Sequence, residues 1–100
     1  MKRYTYYAAT FTGPGTTSAP VMIAETSQDG VNLALFPGGE AADVEVSISK
    51  PAEVEAGTAN WVKVITGATT NTLLYVEGPV TAIRLVANGT SATPRLEIAV

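Results

Sequence analysis

Val31-Asn32-Leu33-Ala34-Leu35-Phe36 places a branched aliphatic residue at every second position, with Asn32 and Ala34 between them. Period-two alternation marks an extended strand with one dry face and one wet face. The same pattern recurs twice further along the chain. Val44, Val46 and Ile48 alternate with Asp43, Glu45, Ser47 and Ser49, and Leu96, Ile98 and Val100 alternate with Arg95, Glu97 and Ala99. The repetition sets the fold class as all-β.

Turn formers punctuate these runs: Gly13-Pro14-Gly15, Asp29-Gly30, Pro37-Gly38-Gly39, Ala56-Gly57, Gly67, Gly78-Pro79 and Asn88-Gly89. Between them lie eight extended runs, Arg3–Thr12, Ala19–Thr26, Val31–Phe36, Asp43–Lys50, Asn60–Thr66, Thr72–Glu77, Val80–Ala87 and Thr93–Val100. No segment sustains apolar spacing at i, i+3, i+4 and i+7; Glu40-Ala41-Ala42 alone suggests a helical turn, but Gly38-Gly39 precedes it and β-branched residues follow. Eight short strands predict an antiparallel, jelly-roll-like β-sandwich, with a small closed barrel as the other solution. At 100 residues the chain has room for one core, so residues 1–100 are expected to form a single domain. The small, polar, Gly/Pro-rich stretch from Phe11 to Pro20 has two readings. It is either a flexible linker that frees residues 1–20 as an N-terminal strand or arm, or a long hairpin loop within one sheet.

Composition narrows the chemistry. With no histidine and no cysteine, this chain builds no Ser-His-Asp triad, Cys-His pair, zinc-thiolate site or disulfide. Neither an enzyme nor a cofactor protein is expected. A net charge of −3 and only six scattered basic residues argue against a nucleic-acid partner. No run reaches the roughly 18 apolar residues of a membrane span. The Tyr- and Thr-rich start makes a poor leader sequence and reads as mature protein. Asn88-Gly89-Thr90 fits a glycosylation sequon but reads as a turn. Charged residues make up only 15% of the chain, against about a quarter in ordinary soluble domains, which suggests a surface that becomes covered.

The candidate chemical constellations are sparse. Asp43/Glu45 and Glu53/Glu55 are spaced i, i+2, which on a strand sets each pair about 6.5–7 Å apart on one face. That separation suits an inverting glycosidase, yet any alternating strand with acidic outward positions produces it. The same acids lack the Asp-x-Asp-x-Asp-Gly pattern of a calcium loop, so no metal is expected. The glycines at 13–15 and 38–39 lack the Lys and the following helix of a phosphate loop. Seven of the nine acids lie between Glu25 and Glu55. An acidic side results if the fold segregates them, and none if it interleaves them. Tyr4 and Tyr6 share one face of the first run, with Tyr7 and Phe11 on the other. Rings on both faces suit a strand buried partly by a neighbour, so Tyr4, Tyr6, Tyr7 and Phe11 are the candidate partner contacts. Trp61 is expected in the core, and the competing reading joins it with Tyr75 as a sugar-stacking platform.

In the C-terminal half, Asn60-Trp61-Val62-Lys63-Val64-Ile65, Gly78-Pro79-Val80-Thr81-Ala82-Ile83-Arg84-Leu85, Asn88-Gly89-Thr90 and Arg95-Leu96-Glu97-Ile98-Ala99-Val100 resemble small β-sandwich structural proteins of tailed-bacteriophage virions. The resemblance covers about the last 40 residues, and the N-terminal half has no counterpart to it. It implies a viral capsid decoration (cement) protein, or another small head or tail component. Such a protein acts as a homo-oligomer in the virion after assembly in the host cytoplasm, with the major capsid protein or another virion protein as partner. The alternative is a carbohydrate- or cell-surface-binding module of a phage fibre or tail.

Overall fold

The computed structural model describes residues 5–10, 17–23, 30–88 and 94–100. Its elements are β1 (Tyr6–Thr10), β2 (Val21–Met22), β3 (Gly30–Phe36), β4 (Ala42–Ser47), α1 (Pro51–Ala56), β5 (Val62–Ala68), β6 (Thr72–Glu77), β7 (Ala82–Ala87) and β8 (Arg95–Ala99). The strands form two antiparallel four-stranded sheets. Sheet A has the order β1-β8-β3-β6, and sheet B the order β2-β7-β4-β5. Pairing first with last and second with seventh is the jelly-roll winding, in which the chain crosses repeatedly between two facing sheets.

Alternation decides what the two sheets bury between them. Val31, Leu33 and Leu35 of β3, Leu96 and Ile98 of β8, Val44 of β4, and Ile83 and Leu85 of β7 are all at most 1% exposed and form one core. Each strand thereby sends its odd or even set inward and leaves the other set on an outer face. β1 is an edge strand paired with β8 along its full length, from Tyr6↔Ala99 to Thr10↔Arg95. Mutual backbone hydrogen bonds between Thr5 and Val100 extend the pairing, and Ala9 is buried in the core. The connection after β1 leads to sheet B rather than folding back as a hairpin. It is anchored there where Ser18 N–H donates to Leu85 O at 2.8 Å and Leu85 N–H donates to Ser18 Oγ at 2.9 Å.

Two sequence expectations need correction. The fourth run does not continue to Lys50: β4 stops at Ser47, and Ile48 is 77% exposed instead of facing the core. Glu40-Ala41-Ala42 is not helical, since Ala42 begins β4; the helical segment is Pro51–Ala56. There Pro51 supplies a fixed φ in the first turn, and Glu53 Oε1 accepts the Lys50 N–H at 3.2 Å. Gly57, at φ 78°, closes the C-terminus. Glu53 and Glu55 are therefore on a helix, about 200° apart around its axis, and not on one face of a strand.

Candidate functional site

The two outer faces of the sandwich differ in kind. On sheet B, charges project from adjacent strands and neutralise one another. Glu45 stands in register with Arg84 on one side and Lys63 on the other. Arg84 Nε donates to Glu45 Oε1, and Lys63 Nζ donates to Asp43 Oδ2 at 3.0 Å. The Arg84 guanidinium also lies over the Trp61 ring, 4.1 Å from its centroid.

Asp43 is the fixed point of this face. The strand pattern puts it on the wet side, yet it is only 2% exposed. Register shifts in the β4–β5 pairing and the left-handed Gly67 (φ 62°) fold the β5 backbone over it. Gly67 N–H donates to Oδ1 at 2.6 Å, and Asn88 Nδ2 donates to the same oxygen at 2.9 Å. Burial pushes the carboxyl pKa up. The bonds from Gly67, Lys63 and Asn88, with the Lys63 charge, outweigh that effect and hold it below the ordinary value. Three of the carboxylate's roughly four acceptor sites are thus engaged within the sheet, two on Oδ1 and one on Oδ2. Among the described residues no group of three or more acids gathers as a metal site.

The outer face of sheet A carries most of the exposed large apolar side chains, together with Asn32, Glu97 and Arg95. Its cross-strand rows are Tyr6–Ala99–Asn32–Tyr75 and Ala8–Glu97–Ala34–Leu73. Ala8, Ala34 and Ala99 make a low floor between taller side chains on the two edge strands. Together with Tyr6, Leu73 and their neighbours they line an open depression of about 570 Å³. Tyr6 is 74% exposed and Leu73 84%; Tyr75 and Phe36 stand exposed on the same face. The depression is polar at Asn32, Glu97 and Arg95, and Arg95 Nε donates to Glu97 Oε2 at 3.2 Å. An exposed pair of this kind contributes little to stability.

The structure thus separates the residues the sequence singled out. Tyr6 lies on the outer face, whereas Tyr7 packs against the core. Tyr4 and Phe11 are outside the described residues. Trp61 is half-buried against Arg84 on sheet B rather than in the core, and Tyr75 belongs to sheet A, so the two rings form no common platform. Asp43 and Glu45 are interleaved with bases, which removes the central acids from any acidic side. Sequence reasoning missed Leu73, Ala34 and Ala8. The signal was present in Leu73-Leu74, where an unbroken apolar pair in a β-run obliges one residue to face outward.

No protein-family model, curated protein or solved structure matches the chain. Among the described residues no helix is long and apolar enough to cross a membrane.

Proposed function

We propose that this chain is a non-enzymatic assembly protein, a virion decoration protein of the tailed-phage kind, which docks on a protein shell through the outer face of sheet A. The observation that carries the reading is the concentration of exposed large apolar side chains on that face. Tyr6, Phe36, Leu73 and Tyr75 stand there, whereas the outer charges of sheet B are paired. Exposed large apolar side chains grouped on one face mark protein-docking sites. The jelly-roll winding supports the reading by analogy, since capsid domains commonly use it. Binding across neighbouring shell subunits would favour the assembled state by mass action. The test is co-sedimentation of the purified chain with heads of its own phage, followed by heating. Saturable binding and a raised rupture temperature are expected; no binding, with no trace of the chain in purified particles, contradicts the reading.

One feature favours the alternative of a saccharide-binding fibre or tail module. The exposed Tyr6 ring adjoins Arg95, Glu97 and Asn32 in one depression, a setting suited to a sugar's apolar face and its hydroxyls. Quenching of tyrosine emission by oligosaccharides, lost on Tyr6→Ala, would select this reading over the first.

A further inference from the structure

Strand β6 (Thr72–Glu77) forms one side of sheet A, and its edge is built differently from the edges of sheet B. Natural edges are usually blunted by brevity, bulges, proline or lysine. β2 is two residues long, and β5 carries two register shifts, the left-handed Gly67 and Lys63. β6 has none of these devices. It pairs with β3 through successive residues from Gly30↔Glu77 to Leu35↔Thr72 without a shift. It contains no Lys, Arg or Pro, and its one charge, Glu77, is at its last position. Among the described strands none pairs with its outer side.

The side chains along this edge are incompletely covered on both faces. Leu74 and Val76 point inward and pack on the core but remain half-buried, whereas Val31, Leu33 and Leu35 on the neighbouring β3 are 0 to 1% exposed. On the outer face, Leu73 and Tyr75 are exposed. A strand added beside β6 would cover both sets and would pair a straight row of backbone groups.

We propose that the added strand is β6 of a second copy of this chain, antiparallel, about a two-fold axis normal to sheet A at Leu74. Such an axis keeps outer faces outer, so residues of like orientation must oppose each other. With Leu74 opposite its own counterpart, Leu73 meets Tyr75 of the second copy on the outer face, and Thr72 meets Val76 on the inner. Both are favourable cross-strand pairs, and Glu77 falls opposite Asn71 with no like charges opposed. Moving the axis to Tyr75 would set Leu73 against Glu77. The pairing joins the two A sheets into one of eight strands and turns both apolar depressions to the same side. Two docking faces in one plane bind a repetitive surface with the gain of linked sites. Self-association is a property of the purified chain, so it stands or falls separately from the docking reading.

The test begins with sedimentation equilibrium. Because the interface is at or below the low end of specific ones, about 1,200 Å², the wild type is expected to move with concentration from 10.3 kDa toward twice that mass. Leu73→Lys replaces a side chain that is 84% exposed, so folding is unaffected, and it should raise the dimer dissociation constant at least tenfold. The chain has no cysteine, so a single introduced thiol reports the register. Leu74→Cys should form a covalent dimer on mild oxidation, its two Cβ atoms being about 5 Å apart, and Val76→Cys should not. A wild type that stays monomeric, a dimer indifferent to Leu73→Lys, or preferential cross-linking at position 76 overturns the proposal.

Discussion

Gly67 donates its backbone N–H to Asp43 Oδ1 at 2.6 Å, which ties a bulge on the edge strand of sheet B to a buried carboxylate on its neighbour. The bond explains how a charged residue on an alternating strand comes to be 2% exposed without being left unsatisfied. It also makes the outer face of sheet B a closed network. Among the described residues no buried side-chain polar atom lacks a partner.

This arrangement has a pH signature. Asp43 is held below its ordinary value of 3.8, so its ionised form favours the folded state. The resulting stabilisation is complete above the unfolded value and disappears as pH falls through the folded one. Asp43→Asn should therefore lower stability by about 2 kcal/mol at neutral pH. The difference in melting temperature between this variant and the wild type should narrow as the pH falls below 3.8. A gap that stays constant as the pH falls further would contradict the role given to the carboxylate.

Arg84 serves both Glu45 and Trp61. Arg84→Ala leaves a nearly buried carboxylate without its partner and uncovers the indole, at a cost of about 2 kcal/mol. Urea denaturation should show the loss, and tryptophan emission in the folded state should shift to the red. Unchanged emission would place Trp61 elsewhere.

The two faces of sheet A predict opposite tolerances. Leu33, 1% exposed, should cost about 2–5 kcal/mol on truncation to alanine, because the surrounding core cannot close the cavity. Leu73, 84% exposed, should cost less than about 0.5 kcal/mol for the same change. Comparable losses at the two sites, read from chemical denaturation, would contradict this assignment of the sheet faces.

Much of this fold was legible in period-two patterning. Val31, Leu33, Leu35, Leu96 and Ile98 face the core as their alternation requires, and each of the eight runs overlaps one strand among the described residues, although the second contains only the two-residue β2. Patterning could not show that Asp43 is buried, because the cover comes from a bulge on β5, twenty-odd residues away in sequence. The short helix was concealed by its acids, which also suit an alternating strand; Pro51, Glu53 and Gly57 at the first-turn, third and capping positions were the available signal. The apolar depression depends on which strands become neighbours. Tyr6, Ala99, Asn32 and Tyr75 come from four separate runs, and only the winding order puts them in one row about 14 Å across, three strand spacings.

The central claim is that the outer face of sheet A is the adhesive surface, and a matched pair of substitutions tests it most directly. Ala34→Arg places a bulky charge on the floor of the depression; Ala56→Arg adds the same charge on α1, away from it. Both variants should keep the wild-type circular dichroism. In co-sedimentation with phage heads, Ala34→Arg should weaken binding at least about tenfold, equivalent to 1.4 kcal/mol, while Ala56→Arg binds as the wild type does. Equal binding by the two variants would show that the chain attaches through some other surface.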